Sequence, residues 1–236
     1  MIYESSYIER LKGRRVCFVG PSPILRGKGK GAEIDSYDCV IRTNHAIELI
    51  KRADYVRDYG KKCSVLYTNN QYYREMMRKR QWEAKLYAAG GLEWLCMKKA
   101  RSCDLHEYKK ALHARLIHSS AEEMARAVPS FLMGTLIIHE VCECKPSEFY
   151  VTGIDFNTTR RKVFQHDCYQ EYVDGYLPDS IRKQGNIINA GKERDPHDIN
   201  GNTAHIYKLW KRGLFRTDAD IEQLMIGIIE GKVTQQ

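Results

Sequence analysis

Val16-Cys17-Phe18-Val19-Gly20-Pro21-Ser22-Pro23 carries the reading of the fold. The run Val16 to Gly20 is apolar and short enough for a buried strand, and Gly-Pro-Ser-Pro stops it with a sharp turn. A Gly- and Lys-rich loop follows, Arg26-Gly27-Lys28-Gly29-Lys30-Gly31, and then a second β-type run from Cys39 to Asn44. The alternation continues. Helical pattern runs from Ile47 to Tyr59, a third strand pattern covers Cys63 to Thr68, and a long polar helix is predicted over 72–88. Leu92 to Met97 and Ala114 to His118 read as strands, Phe131 to Val141 as a buried helix, and Glu148 to Ile154 as a strand. Helical patterns return over Gly201 to Arg212 and Asp218 to Ile229. Short β-type runs alternating with helices predict an α/β fold built on a parallel sheet flanked by helices.

Working outward, residues 157–195 have poor periodicity and many tyrosines and charges, so they are expected to form a functional segment such as a lid. Nothing resembles a linker or a repeat, and the 236 residues are expected to form a single domain over 1–236. The net charge is +8, from 38 Lys plus Arg against 30 Asp plus Glu. That balance suits a nucleotide-sugar, a nucleic acid or an acidic membrane, and a solvated basic surface accounts for it equally. No transmembrane segment of 18 or more apolar residues is present, which leaves only peripheral contact with a membrane open. The first residues lack the apolar core of a signal peptide, so the chain is expected in the cytoplasm, or in the host cytoplasm if it is viral. Eight cysteines sit mostly in apolar runs, where a thiol behaves as a small hydrophobe, and they are expected to be reduced.

In open parallel sheets ligands sit at the carboxyl ends of the strands. Gly20-Pro21-Ser22, Asn44, Asn69-Asn70 and Gly153-Ile154-Asp155 should therefore gather along one edge. The loop from Gly20 to Gly31 could cradle phosphate through backbone amides or be a plain turn; its glycines fit neither a P-loop nor a dinucleotide fingerprint. His197 precedes a helical pattern and is either a general base or a helix-entry residue, with Asp198 or Asn200 as the cap. His166 and Tyr169 could donate hydrogen bonds to a leaving phosphate or lie in an exposed loop. Asp218-Ala219-Asp220 has the D-x-D spelling of metal-dependent transferases, but it opens a helix, where acidic residues cap and complement the dipole. No metal site is expected. The tyrosines Tyr67, Tyr72, Tyr73 and Tyr87 could stack on a base but fit ordinary packing better.

Taken in order, these segments resemble the sialyltransferases. Val16 to Ala46, through strand, Gly-Ser turn, Leu25-Arg26-Gly27-Lys28-Gly29-Lys30-Gly31, Glu33-Ile34-Asp35 and Ile41-Arg42-Thr43-Asn44-His45-Ala46, is similar to the large sialyl motif of the animal-type enzymes. Pro129-Ser130, Gly134-Thr135 and Tyr150-Val151-Thr152-Gly153 resemble the small motif. His166 with Tyr169 and Glu171 resembles the His-Tyr motif, and His197-Asp198 the very small motif. Gly60-Lys61-Lys62-Cys63 and Tyr150 to Phe156 also look like segments of bacterial lipooligosaccharide sialyltransferases. The resemblance touches most of the chain between residues 16 and 212.

The resemblance implies a Rossmann-like variant of the glycosyltransferase A fold, a CMP-linked sialic acid donor, a glycan acceptor, inversion at the anomeric centre, and no metal or other cofactor. It implies that Gly20, Ser22 and Asn44 line the CMP site. Gly134 and Thr135 would offer it backbone amides and a hydroxyl, and Gly153 would let cytidine approach the backbone. His166 and Tyr169 would hold the phosphate, and His197 would be the catalytic base. The chain also departs from the pattern. Pro21 stands where the animal-type enzymes carry an asparagine that contacts the nucleotide, and Asn202 where they carry a glutamate five residues after the histidine. Cys17 is offset by one from the family's cysteine, and Asn157 stands where the bacterial enzymes place a tyrosine. These changes bear on the sugar donor, and CMP-Kdo, another nonulosonic acid or another nucleotide-sugar stays open. So does a non-catalytic nucleotide- or glycan-binding relative. Nucleic-acid binding is not expected, since no reading motif or concentrated basic stripe is present.

Overall fold

The computed structural model describes residues 2–43, 46, 50, 53–68, 91–97, 113–156, 158 and 198–233. Among them the strands are β1 (Arg15–Val19), β2 (Cys39–Thr43), β3 (Val65–Thr68), β4 (Trp94–Met97), β5 (His113–Leu116), β6 (Glu148–Thr152) and β7 (Arg216–Thr217). The helices are α1 (Ile2–Leu11), α2 (Gly31–Asp35), α3 (Ala53–Tyr59), α4 (His118–Ala127), α5 (Met133–Glu143), α6 (Ile199–Lys211) and α7 (Ala219–Ile229). The expected helix over 72–88, the stretch 157–195 apart from Thr158, and Asn44, Asn69 and Asn70 lie outside the described residues.

All the strands pair parallel, in the order β5-β4-β3-β2-β1-β6-β7. A parallel sheet needs crossovers that cover both faces, which is why its strands read as unbroken apolar runs. Successive side chains alternate between those faces. Val16 and Phe18 of β1, with Ile41, Val65, Tyr67, Cys96 and Val151, join Tyr7 and Leu11 of α1, Met124 of α4 and Leu136 to Ile138 of α5 in one apolar core. The opposite face holds the fully buried Arg42, whose guanidinium donates to the carbonyls of Lys62 at 2.8 Å and Tyr59 at 2.7 Å. From β1 the chain adds strands outward on one side as far as β5. It then returns to place β6 on the other side of β1, so the topological switch point falls between β1 and β6.

One polar cluster crosses the apolar core. Glu140 of α5 accepts from Arg115 of β5 at 2.6 and 3.2 Å and from the Tyr67 hydroxyl of β3 at 2.6 Å. The Tyr67 and Tyr7 hydroxyls are 2.7 Å apart, and the Arg115 guanidinium lies over the Tyr7 ring at 4.2 Å. Burial pushes both phenols well up, so they remain neutral donors. The cluster ties α5 to α1, β3 and β5, and thereby sets how α5 lies on the sheet.

The six described cysteines, Cys17, Cys39, Cys63, Cys96, Cys142 and Cys144, are buried free thiols. Burial pushes Cys39, Cys63, Cys96, Cys142 and Cys144 up to about 12, which keeps them uncharged at neutral pH. Four elements, α1, α2, α4 and β7, have no counterpart in the sequence reading. The run expected as strand through His118 pairs only over His113–Leu116, and a ten-residue helix begins at His118. Among the described residues no helix is long and apolar enough to cross a membrane.

Glu140→Ala would leave Arg115 buried without its carboxylate. It should destabilise the fold by about 3–5 kcal/mol in urea or thermal unfolding, and a loss below about 1 kcal/mol would mean that the cluster does not anchor α5.

Candidate active site

At the carboxyl ends of β1 and β6 the two backbones touch. Gly20 donates to the Thr152 carbonyl at 2.8 Å, and Ser22 donates to the Gly153 carbonyl at 2.9 Å. A Cβ on Gly20 would stand 2.4 Å from the Gly153 oxygen, and one on Gly153 would stand 2.7 Å from the Gly20 oxygen. Gly153 also has φ +66°, a left-handed conformation that favours glycine. Both positions therefore require glycine for reasons internal to the chain, and both lie where this topology places ligands. Ser22 is buried at 2 % exposure, and its hydroxyl accepts from the Ile24 amide at 3.3 Å, capping the turn over Pro23–Leu25. Its carbonyl accepts from the Tyr59 hydroxyl at 2.7 Å. The Ser22 hydroxyl, expected to line a nucleotide site, is thus part of the turn itself.

The starts of α5 and α6 meet beside this edge. Gly134, in the first turn of α5, packs on the ring of Phe18, with its Cβ position 3.6 Å from the ring carbons. That places α5's start over the carboxyl half of β1. Leu132, at the cap position of α5, makes no side-chain cap bond among the described residues, and no acidic residue stands in the first turn. Helix α6 begins at the Asp198 cap, whose carboxylate accepts from the Gly201 amide at 2.9 Å. The cap expected for the segment after His197 is therefore Asp198.

Asn202, at 1 % exposure, fastens the two helix starts together. Its Oδ1 accepts from the Leu132 amide at 2.8 Å and from the Thr135 hydroxyl at 2.5 Å. Its Nδ2 donates to the Asp198 carbonyl at 2.6 Å and to the Ser130 carbonyl at 3.0 Å. The Asp198 amide adds a bond to the Ser130 carbonyl at 3.3 Å. The Thr135 hydroxyl, expected to face a nucleotide, instead donates to Asn202. Asn44, His166, Tyr169 and His197 lie outside the described residues.

The Gly- and Lys-rich loop overturns its reading as a phosphate cradle. The amides of Gly27 and Gly29 do converge on an anion, but the anion is the Asp58 carboxylate, at 2.7 and 3.0 Å. Asp58 also takes the fork of Arg57 at 3.1 and 3.0 Å. The loop's lysines are engaged as well: Lys28 pairs with Asp220, and Lys30 pairs with Asp218. The Arg57 fork, and then the two glycine amides working against burial, hold the Asp58 carboxyl well below the usual carboxylate range. The loop is a staple closed on α3 and α7.

Asp218 corrects a second expectation. It sits at the cap position of α7, yet its side chain makes no cap hydrogen bond. The carboxylate turns to the sheet, accepting from the Tyr150 hydroxyl at 2.6 Å, from the Thr152 hydroxyl and from Lys30. Burial alone would raise its pKa, but these donors, led by Lys30, hold it below its ordinary value. Each acid of the D-x-D spelling is thus already neutralised by a lysine. Local sequence suggests the Asp198 cap. It holds no signal for Asp58 or Asn202, whose partners lie 29 or more and 67 or more residues away, apart from contacts within their own helices.

A family model for glycosyltransferase family 29 (sialyltransferase) matches residues 5–126, more than half of the chain. The chain belongs to glycosyltransferase family 29. The matched span of this sialyltransferase-family protein runs from α1 to α4. The β6 edge and the α5–α6 junction lie beyond it. Among solved structures, it is similar to the sialyltransferase CstII from Campylobacter jejuni in complex with a substrate analogue, cytidine-5'-monophosphate. That similarity has 18% identity, covers 66% of this chain and 76% of that chain, and has a TM-score of 0.41. No curated protein matches the chain.

If Asp58 is the loop's internal anion, Asp58→Asn should lower the Tm at pH 7 by about 3–10 °C, since it weakens charge-assisted bonds to two amides and turns a donor toward one of them. Asp58 has a depressed pKa in the fold, so its contribution is fully present above the unfolded carboxylate pKa of about 3.9 and is lost as pH falls. The gap between wild type and variant, followed by thermal melts from pH 7 to pH 3, should hold down to about pH 4 and begin to narrow below it.

Proposed function

We propose that this chain transfers a sialic acid from a CMP-linked donor to a glycan hydroxyl, inverting the anomeric centre, with His197 as general base and with no metal or other cofactor. The whole 236-residue chain would act as one glycosyltransferase domain. The observation that carries the reading is the meeting of the α5 and α6 starts at the carboxyl ends of β1 and β6. An uncapped helix start offers amides and a positive dipole end to an anion. The touching Gly20 and Gly153, with the side chains of Ile154 and Leu25 packed against them, bring backbone to the strand ends where this topology places a nucleotide. Backbone groups supply donor contacts here, beside the Ser22 hydroxyl, which accepts from the Ile24 amide and keeps its own proton to give, while the Thr135 proton is given to Asn202.

The chemistry follows from charge. CMP leaves through its phosphate, so negative charge grows there while the sugar becomes cationic. In this proposal α5's start, His166 and Tyr169 meet the phosphate charge, and a preorganised donor of this kind is worth about 3 kcal/mol. His197, neutral near pH 7, takes the proton of the acceptor hydroxyl, a contribution of roughly 10²–10⁴-fold. The first residue of the described α6 segment is Asp198, so the proposed base stands one peptide from the cap that is fastened to Ser130. Pro21, in place of a nucleotide-contacting asparagine, and Asn202, in place of a glutamate, allow a second reading, a transferase that uses a different nucleotide-sugar donor.

The test is calorimetry and thermal shift in EDTA with CMP, CMP-sialic acid, CMP-Kdo, UDP-sugars and GDP-sugars, followed by transfer assays. CMP compounds should stabilise the protein selectively. His197→Ala should abolish transfer while leaving CMP affinity within about threefold, because the base touches the acceptor side. Selective binding of UDP or GDP compounds would overturn the donor assignment. CMP binding without transfer to any acceptor would favour a non-catalytic relative.

A further inference from the structure

We propose that Asn202 is a positioning residue of the transfer reaction, a neutral amide that locks the start of α6 to the start of α5. The base side and the donor side of the site are thereby held as one piece. The inference rests on the reading just given and concerns how its two halves are kept in register.

The geometry is two-sided. With Oδ1, Asn202 accepts from the Leu132 amide and the Thr135 hydroxyl at the start of α5, and with Nδ2 it donates to the carbonyls of Ser130 and Asp198. Two acceptor and two donor contacts exhaust what one amide side chain commonly makes, and only Asn or Gln offers two of each. The side chain is buried, so no water can replace a lost contact without opening the junction. The Asp198 carbonyl belongs to the residue that follows His197 in the chain. The Leu132 amide and Thr135 hydroxyl flank Gly134, whose backbone the reading assigns to the donor. A displacement of either helix start by about 1 Å would separate reacting groups and can cost on the order of 10²-fold in rate.

The proposal also explains a departure from the family pattern, which places a glutamate at this position. Here the Nδ2 position faces two carbonyl oxygens. A carboxylate oxygen there would face both carbonyls with no proton to give either. In this chain the family's own residue should therefore be damaging. An account in which position 202 needs only an acceptor for the start of α5 predicts the opposite for a carboxylate.

The experiment uses Asn202→Asp and Asn202→Ala in the full chain. It measures kcat and KM for CMP-sialic acid, CMP affinity by calorimetry, and the Tm. Asp keeps the volume and the Oδ1 acceptor, so it covers the case in which Ala fails to fold. The expected result is a fall in kcat of roughly 10²-fold at pH 8 for protein that is folded at the assay temperature, with CMP affinity within about fivefold. For Asp, kcat should recover in part relative to wild type as pH falls, because the protonated acid can donate again to one carbonyl. Wild-type kcat in a folded Asp variant would overturn the proposal. So would a loss confined to stability or KM, or failure of both variants to fold, since each would make Asn202 a structural or donor-binding residue. Inactive wild type with every CMP donor would instead refute the proposed function and is distinguishable at the first measurement.

Discussion

Between the ends of β1 and β6 there is no room for a side chain. Gly20 and Gly153 lie back to back, each barred from carrying a Cβ by the other's carbonyl oxygen, and the amides of Gly20 and Ser22 bond across the gap. The rest of the site depends on that contact. It lets the chain leave β1 at a sharp angle into the turn capped by Ser22. It closes the two strand ends on each other, backbone to backbone, with Ile154 and Leu25 beside them, and it sits where α5 crosses Phe18. A parallel sheet wound in both directions from β1 makes a crevice at this point as a matter of topology. The glycines let the two strand ends come into backbone contact there.

Charge is then distributed in a way the composition alone conceals. The chain is basic, and the loop from Arg26 to Gly31 is one of its basic segments. Yet that segment is neutralised from within, with Asp58 seated on the amides of Gly27 and Gly29 and with Asp220 and Asp218 paired to Lys28 and Lys30. An anion arriving there would meet three carboxylates. At α5, by contrast, the first turn carries no acid, and its cap residue Leu132 makes no side-chain cap bond among the described residues. The positive potential open to a donor phosphate is therefore better sought in a helix start than in the lysines of this loop. Held by Asn202, that helix start and the start of α6 form one unit, which Glu140 roots in the core through Arg115 and Tyr67.

Much of this is legible in the sequence. The runs at Val16, Cys39, Val65, Trp94 and Glu148 announce themselves by apolar length and turn residues, and the strand-end rule by itself brings Gly20 and Gly153 to one edge. The helix at His118 escapes a pattern reading because it follows β5 after a single residue, with no breaker between them. Ser119 and Ser120, each three residues before a glutamate, are the local signal of a helix start nearby. The loop and Asp218 mislead for a shared reason: local spelling reports which groups are present, and only the fold reports who satisfies them. Glycine amides and lysines in sequence look like an anion site until Asp58 arrives from 29 residues away. An acid at a helix start looks like a cap until Tyr150, Thr152 and Lys30 offer it better partners.

The central claim is that the donor's anionic group binds at the β1–β6 edge against the start of α5, and that the Gly- and Lys-rich loop takes no part. Amide hydrogen exchange with and without saturating CMP tests it most directly. The account predicts new protection at residues 133–135 and 153–155, with residues 27–31 exchanging alike in both states. Protection that appears at residues 27–31 while the start of α5 is unchanged would contradict it.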